Sequence, residues 1–365
     1  WFAVIFFYSS KKSVVFRNFL IFSVDYLLGF RYNNFYYFSQ RGVPMIHIIN
    51  DGSGDFATIT AALESIPADN SSPVTLFIHN GIYKERLTVT APYVTMIGES
   101  TEHTIVTYDL SARMTIADGT KLGTFRSYSC LIDTHDFTAK NLTFENSAGS
   151  SPDAGQALAL YVDGDRILFE NCKFLSGQDT LFTGPLPPKE IIPDGFIGPK
   201  QSALRLMGRH YYKNCYIEGN IDFIFGGATA YFEECELFSK YIGKPVNSYV
   251  TAASTPQGEL YGYVMNRCRF TSNCPPQSAY LGRPWREYAK TVLIDCFMDA
   301  HICEEGWDDW GKEIAHQTAY YAEYGSYGPG AAMDKRPYWI KRLTKDQLEH
   351  YKKEQVLAGE DDWNP

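Results

Sequence analysis

The sequence lacks the features that define several large classes of protein. No run approaches the ~18 uninterrupted apolar residues that a membrane-spanning helix needs, so we expect no membrane partner. An excess of positive charge is also lacking, because the formal net charge is -9 at pH 7. That balance argues against a general nucleic-acid partner. Aromatic residues, at 15%, are instead abundant, which suits a large core or surfaces that stack on sugar rings.

Acidic residues are almost missing from the first 44 positions, where Asp25 stands alone. This segment is rich in aromatic residues, and its apolar stretch at 19–30 has no small-residue cleavage site, so it makes a poor signal peptide. The chain begins at Trp1, and its first methionine is Met45. We therefore expect residues 1–44 to be an unstructured or non-native leader, with a truncated leader as the alternative.

Closely paired cysteines are missing too. The eight cysteines do not have the spacing of a zinc site, so we expect no metal and no cofactor. Five of them occupy the same place in short strand-like units such as Asn-Cys-Lys-Phe: Cys172, Cys215, Cys235, Cys268 and Cys296. Because each alternates with polar neighbours, we expect these side chains to face inward as reduced thiols that pack like small hydrophobic groups.

Long amphipathic helices and two-residue hairpins are few. Short segments rich in β-branched and aromatic residues recur instead, at 132–137, 139–144, 157–162, 167–174, 211–217, 230–237, 262–270 and 291–298. Repeated strand units without helices between them predict an all-β fold, a right-handed parallel β-helix. A β-sandwich is the competing interpretation, but it would need more tight hairpins.

Two helices and one long loop complete the predicted domain. A short N-terminal helix is expected over 58–66, and a capping box at 344–347 predicts a C-terminal helix to about Leu357. The expected organisation is therefore a single β-helix catalytic domain over 45–343, followed by a C-terminal helix and tail over 344–365. A loop rich in proline and glycine at 184–201 interrupts the repeats, and we expect it to overhang the site.

Two aspartates stand out in otherwise apolar or small-residue settings. Asp179 follows Cys172 by seven residues, and Asp222 follows Cys215 by the same distance. If these segments are neighbouring coils, the two carboxyl groups lie one above the other, about one strand spacing of ~5 Å apart. Two carboxylates so close do not both ionise easily, which is the asymmetry that a nucleophile and a general acid require.

Several motifs give the chain a clear resemblance to the pectin methylesterases, or pectinesterases. They agree with that family in order and spacing over about 45–340, and they lie at 51–54, 81–85, 156–160, 177–181, 222–226, 281–285, 323–324 and 328–330. The family has a right-handed parallel β-helix, in agreement with the repeats. The resemblance implies a carboxylic ester hydrolase that removes methyl esters from polygalacturonate.

The resemblance also implies a role for individual residues. Asp222 would be the nucleophile, Asp179 the general acid and then the general base, and Arg283 would hold Asp222 ionised. Gln178 and Gln156 would donate hydrogen bonds to the oxyanion. The substrate-binding residues would be Trp285, Phe223 and Tyr280.

Structural explanations compete with some of these roles. Gln178 could only satisfy backbone groups between coils, Arg283 could form a surface ion pair, and Trp285 could belong to the core. A buried carboxylate without a task is costly, so we give little weight to Asp222 as a mere turn residue.

Other functions on the same scaffold are weaker alternatives. A pectate lyase needs a calcium site of clustered acids, and a polygalacturonase needs carboxylates around a glycosidic bond. A non-catalytic glycan-binding or adhesive β-helix is also an alternative, as is an esterase acting on non-pectic esters such as thioesters. We expect pectin or methylated oligogalacturonides as the partner and a monomer as the active form. The resemblance implies an extracellular or cell-wall location, whereas a natural start at Met45 would imply a cytoplasmic one.

Overall fold

A computed structural model describes residues 45–151 and 153–365; the expected leader at 1–44 lies outside these residues. The strands form three sheets in which neighbours are parallel. Sheet 1 contains β1 (Met45–Ile48), β2 (Val74–Ile78), β5 (Val94–Gly98), β8 (Phe137–Lys140), β11 (Ile167–Glu170), β14 (Arg209–Lys213), β17 (Thr229–Glu233), β20 (Tyr263–Asn266), β23 (Lys290–Ile294), β25 (Tyr320–Tyr324) and β26 (Lys341–Arg342).

The other two sheets complete each coil. Sheet 2 contains β4 (Leu87–Val89), β7 (Cys130–Ile132), β10 (Leu160–Val162), β13 (Leu181–Thr183), β16 (Ile224–Gly226), β19 (Ser248–Ala253) and β22 (Ala279–Gly282). Sheet 3 contains β3 (Gly81–Lys84), β6 (Thr104–Tyr108), β9 (Thr143–Asn146), β12 (Lys173–Leu175), β15 (Tyr216–Gly219), β18 (Glu236–Ser239), β21 (Arg269–Ser272) and β24 (Phe297–Met298). From β8 to β24 the chain visits sheets 1, 3 and 2 in turn, which confirms the predicted parallel β-helix.

Several segments predicted as single strands are two strands separated by a corner of the coil. The predicted segment 167–174, for example, contains β11 and the start of β12, separated by Asn171 and Cys172; the φ of Asn171 is 53°. The residue before each cysteine of the repeat has the same left-handed conformation, and these residues are Asn171, Asn214, Glu234, Arg267 and Asp295. Asparagine tolerates this region better than most residues, so the Asn-Cys units mark corners and not strand interiors.

The repeated cysteines lie just inside these corners. All five are at most 1% exposed, which confirms that they face inward, and all eight cysteines are free thiols. The Cys215 thiol lies 3.6 Å from the carbonyl oxygen of Phe169 in the preceding coil, within the range for a weak hydrogen bond. The ladder of thiols therefore fills the core between coils together with stacked rings such as those of Tyr212 and Phe232.

The helices are short. They are α1 (Ile59–Glu64), α2 (Ala315–Thr318) and α3 (Lys353–Val356), with 3-10 helices at Thr124–Arg126, Ser147–Ser150 and Lys345–Tyr351. Thr58, the first residue of the helix predicted over 58–66, caps α1 by accepting a hydrogen bond from the Ala61 amide. No helix in the described residues is both long enough and apolar enough to cross a bilayer.

The prediction of one continuous C-terminal helix is wrong. The capping box between Thr344 and Gln347 is present, but it opens the 3-10 helix, and Lys352 then takes an extended conformation before α3. This break allows two apolar groups to pack on the same outer face of sheet 1; they are Leu348 and Tyr351 before the break, and Val356 and Leu357 after it. Packing against the sheet therefore overrides the local helical pattern.

A buried ion pair fastens the C-terminal segments to the last coils. Arg336 Nε and Trp307 Nε1 both donate to Oε1 of Glu323 at 2.9 Å, and the Glu323 side chain is fully buried. Arg336 also donates to the carbonyl oxygens of Glu304 and Gly330. The motifs at 323–324 and 328–330 thus hold in place the loop that begins near Glu304.

Replacing Glu323 by glutamine should destabilise the fold strongly, because the buried Arg336 charge would lose its counter-ion. We expect a loss of about 3–5 kcal/mol in the free energy of unfolding, measured by urea denaturation. Asp109→Asn is the matched control, since it breaks the exposed Lys84–Asp109 pair and should change stability little. Equal effects of the two substitutions would contradict this prediction.

Candidate active site

Asp179 and Asp222 occupy the same position in neighbouring coils. Leu181 of β13 pairs with Ile224 of β16, and each aspartate lies two residues before its paired residue, which confirms the predicted equivalence. The amide of Asp179 donates to the carbonyl oxygen of Ile221 at 3.1 Å, so the chain is already hydrogen-bonded between coils at this point. Both carboxylates therefore lie where sheet 2 begins.

Both aspartates have a left-handed backbone. Their φ angles are 63° for Asp179 and 53° for Asp222, and each residue is 7% exposed. This conformation interrupts the simple alternation of side chains, because Phe223 and Ile224 both belong to the main core, whereas Phe225 packs in an outer aromatic cluster. Non-glycine residues in this region carry backbone strain, which concentrates at functional sites.

Arg283 forms a two-pronged ion pair with Asp222. Its Nε and Nη2 donate to Oδ1 and Oδ2 at 2.8 and 2.7 Å. The guanidinium carbon also lies 3.8 Å from the ring centroid of Tyr249 and 3.7 Å from that of Trp310. This geometry fixes the Asp222 carboxylate in one orientation, so Arg283 is not an ordinary surface ion pair.

Gly282 helps to place Arg283 next to Asp222. Gly282, the last residue of β22, lies so close to β19 that a Cβ atom on it would be 2.0 Å from Oγ1 of Thr251. The amide of Arg283 then donates to the carbonyl oxygen of Thr251 at 2.9 Å. Close approach of the two strands brings the guanidinium down to the coil that carries Asp222.

The two carboxyl groups differ in their electrostatic surroundings. Burial and the charge of Asp222 raise the pKa of Asp179 well above its usual range, and Arg283 and the Gln178 side chain oppose this rise only in part. Burial also raises the pKa of Asp222, but the hydrogen bonds and charge of Arg283 counteract it. Asp179 is therefore the group that holds a proton, and Asp222 is the group that ionises first.

The two glutamines lie side by side in adjacent coils. A parallel bridge joins Gln156 to Gln178, and both are half-buried. Gln178 also lines a cavity of about 300 Å³ together with Asn220 and Ile221. The charged residues that line this cavity are all cationic, namely Arg113, Lys240 and Lys244. The arrangement offers neutral amide donors next to a basic surface.

Trp285 lies at the edge of an outer aromatic cluster. Its ring centroid is 5.6 Å from that of Phe225 and 6.2 Å from that of Phe196, and it remains half-buried. Phe196 belongs to the long loop at 184–201, and Arg286 donates to the carbonyl oxygen of Lys189 in the same loop. The loop therefore contacts the site through Trp285 and its neighbour.

The prediction for Phe223 is wrong, and Tyr280 lies beside the site. Phe223 is completely buried in the main core, so its side chain does not reach a bound substrate. The left-handed backbone at Asp222 turns Phe223 inward, an effect that strand alternation does not reveal.

Tyr280 stacks on Tyr249 with ring centroids 5.4 Å apart, and Tyr249 contacts Arg283.

Sequence reasoning missed three residues near the acidic pair: Tyr249, Trp310 and Lys312. Tyr249 lies two residues before Thr251, which pairs with Ile224, so it occupies in its coil the place that Asp222 has in the preceding one. Counting back from each strand of sheet 2 could have found it. Trp310 and Lys312 come from a loop beyond β24, and no repeat pattern points to them.

The fold and the site together define a class, that of hydrolases built on a parallel β-helix with paired carboxylates on one sheet. No group of three or more metal-binding side chains that could hold an ion occurs among residues 45–151 and 153–365. The side chains at the site supply a carboxyl pair, an arginine and two amides.

Comparison with known proteins makes the assignment specific. The family model for pectinesterases matches residues 45–185 and 198–360, so it leaves out the middle of the long loop. Pectinesterase 31 of Arabidopsis thaliana is 34% identical over 327 residues, covering 87% of this chain and 93% of that protein. A pectinesterase of Petunia integrifolia is 32% identical over 333 residues, covering 88% and 81%.

Solved structures agree. Pectin methylesterase from carrot has a TM-score of 0.74 at 28% identity, covering 88% of this chain and 95% of that one. The enzyme PemA from Erwinia chrysanthemi has a TM-score of 0.71 at 30% identity, covering 88% and 97%. This chain belongs to the pectinesterase family. It is a carboxylic ester hydrolase that removes methyl esters from pectin.

Removing the Arg283 side chain should shift the acid limb of the pH profile upward. Because Arg283 opposes the rise in the Asp222 pKa, Arg283→Ala should raise that pKa further, and Asp222 would then lose its charge at a higher pH. Methanol release from methylated pectin, measured as kcat against pH, should fall at all pH values and most of all on the acid side.

Arg283→Lys is the matched control for charge. It keeps the positive charge but cannot form the two-pronged contact, so kcat should fall with a smaller shift of the acid limb. An acid limb at the same pH in all three proteins would show that Arg283 does not govern the ionisation of Asp222.

Proposed function

We propose that this pectinesterase acts through an aspartyl acyl-enzyme, with Asp222 as nucleophile. The observation that carries this proposal is the asymmetric pair: Arg283 binds both oxygens of Asp222, while Asp179, at the equivalent place in the preceding coil, has the higher pKa. A carboxylate held by a cation beside a carboxyl that keeps its proton suits nucleophilic attack with acid-assisted departure.

The first half-reaction forms the acyl-enzyme. An oxygen of Asp222 attacks the ester carbonyl carbon, and the carbonyl electrons move onto oxygen to give a tetrahedral oxyanion. Gln156 and Gln178 donate hydrogen bonds to that oxyanion, a role in which the loss of one donor costs about 3 kcal/mol. The carbon–methoxy bond then breaks as Asp179 gives its proton to the departing methanol.

The second half-reaction releases the acid product. Asp179, now ionised, takes a proton from a water molecule, whose oxygen attacks the acyl carbon. The bond to Asp222 breaks, so that Asp222 leaves as a carboxylate, Asp179 is again protonated, and the product is a free uronic acid. No proton, atom or electron is left over, and the two carboxyl groups return to their starting states.

The surroundings of the pair support an anionic sugar chain as substrate. The cavity beside Gln178 is lined by three cations and by no acid, although the whole chain has a net charge of -9. One of these cations, Lys240, forms an ion pair with Glu218, which does not line the cavity. Half-buried Trp285 offers an aromatic face for a sugar ring. A solved structure that is 30% identical to this chain is described as a pectin methylesterase in complex with a hexasaccharide. We propose pectin and methylated oligogalacturonides as the substrates.

The direct test separates ester cleavage from chain cleavage. The protein is incubated with highly methylated pectin, and methanol, new reducing ends and unsaturated uronides are measured together. We expect methanol without chain shortening, and Asp222→Asn serves as the matched inactive control. Chain shortening or unsaturated products without methanol would overturn the proposal in favour of a glycosidase or a lyase.

The two aspartates should respond differently to the leaving group. Asp222→Asn removes the nucleophile and should abolish acylation with every ester. Asp179→Asn removes the proton donor, so an ester with a much better leaving group than methanol should recover part of acylation, as a burst followed by slow turnover. Burst kinetics on an activated galacturonate ester measure this difference.

The same experiment checks the assignment of the two roles. Circular dichroism of both variants at neutral pH should match that of the unmodified protein. If the activated ester rescued Asp222→Asn and not Asp179→Asn, the roles of nucleophile and acid would be reversed.

A further inference from the structure

Lys312 ties together two segments of the active site. Its Nζ donates to the carbonyl oxygen of Pro284 at 2.5 Å and lies 3.3 Å from that of Trp285, the two residues that follow Arg283. The same nitrogen lies 4.3 Å from the ring centroid of Trp310. One ammonium group therefore joins the strand end that carries Arg283 to the loop that carries Trp310.

The ammonium group has unusual surroundings for a lysine. Within residues 45–151 and 153–365, no carboxylate forms an ion pair with Lys312, and nearby Asp309 is paired with His316. Lys312 is half-buried, and two carbonyl oxygens and an aromatic face surround its charge. A half-buried charge without a counter-ion is costly, so a neutral side chain would suit this place better if filling space were its only task.

Several charged groups act on Lys312. Burial, together with the positive charges of Arg286 and Arg283, lowers its pKa to about 8. Asp222, which precedes β16, and Glu287, which follows Arg286, act in the opposite direction. In its own loop, Asp308 interacts with Arg283.

We propose that Lys312 is a positioning residue for ester hydrolysis. In its charged form it holds the segment of Arg283, Pro284 and Trp285 against Trp310, so that the Arg283 guanidinium stays on Asp222. This inference rests on the proposed function, because it assigns Lys312 no contact with substrate. Lys312 acts through the positions of Arg283 and Trp285, and its charge also helps to keep the pKa of Asp222 down.

A purely structural role makes different predictions. If Lys312 only stabilised its loop, its loss would lower the melting temperature and leave the pH profile of the folded enzyme unchanged. If it positions the site through its charge, activity must follow the protonation of Lys312. Because the charged form is the active one, kcat/KM should fall as the pH rises through about 8.

The experiment compares Lys312→Met and Lys312→Arg with the unmodified protein. Methanol release from methylated pectin is measured from pH 6 to 9.5, with the spontaneous hydrolysis of the substrate subtracted, and melting temperatures are recorded at each end of this range. For the unmodified protein we expect an alkaline limb near pH 8 in kcat/KM.

The two variants should differ in both rate and pH dependence. Lys312→Met should lower kcat/KM at pH 7 by about tenfold or more, since small displacements of catalytic groups have effects of this size. Displacement of Arg283 should lower kcat, and displacement of Trp285 should raise KM. The alkaline limb of the pH profile near pH 8 should vanish. Lys312→Arg should restore most of the activity and move the limb upward by more than about one pH unit, because arginine stays charged.

The outcomes separate this inference from the proposed function. If the unmodified protein releases no methanol, the proposed function fails. If it releases methanol without an alkaline limb near pH 8, or if that limb persists in either variant, only the role of Lys312 is overturned. Should Lys312→Met fail to fold, the position of the limb in Lys312→Arg decides the question.

Discussion

The parallel register of sheet 2 is the constraint on which the active site depends. Hydrogen bonds between β13 and β16 place Leu181 next to Ile224, and this pairing brings Asp179 and Asp222 to equivalent positions in adjacent coils. A shift of one residue would turn side chains to the opposite face and separate the carboxyl groups. The difference between the pKa values of the two aspartates therefore depends on the main-chain hydrogen bonds between coils as much as on the side chains.

Left-handed residues give the coil its corners and the site its geometry. Asn171 and Asn214 make the turn from sheet 1 to sheet 3, and the residues after them, Cys172 and Cys215, point into the core. The same conformation at Asp222 turns its carboxylate toward Arg283 while the next side chain enters the core. One backbone conformation thus serves both the repeat and the chemistry.

Three cations with different surroundings have different tasks in the last coils and at the active site. Arg336 is fully compensated by Glu323 and anchors the loop, whereas Arg283 is compensated by Asp222 and orients it. Lys312 has carbonyl oxygens in place of a carboxylate, and burial beside two arginines lowers its pKa to about 8, which leaves its charge sensitive to pH. Stability, orientation and pH response are thereby assigned to separate cations.

Local patterns in the sequence determined the repeat, the inward cysteines and the equal spacing of the two aspartates, because each depends on residues within a single coil. The tertiary structure decided the rest. Arg283 reaches Asp222 across 61 positions of sequence, and Trp310 and Lys312 arrive from a loop that belongs to no repeat. The burial of Phe223 likewise depends on the backbone at Asp222. Such contacts follow from how coils of unequal loop length stack, and no short-range periodicity records that stacking.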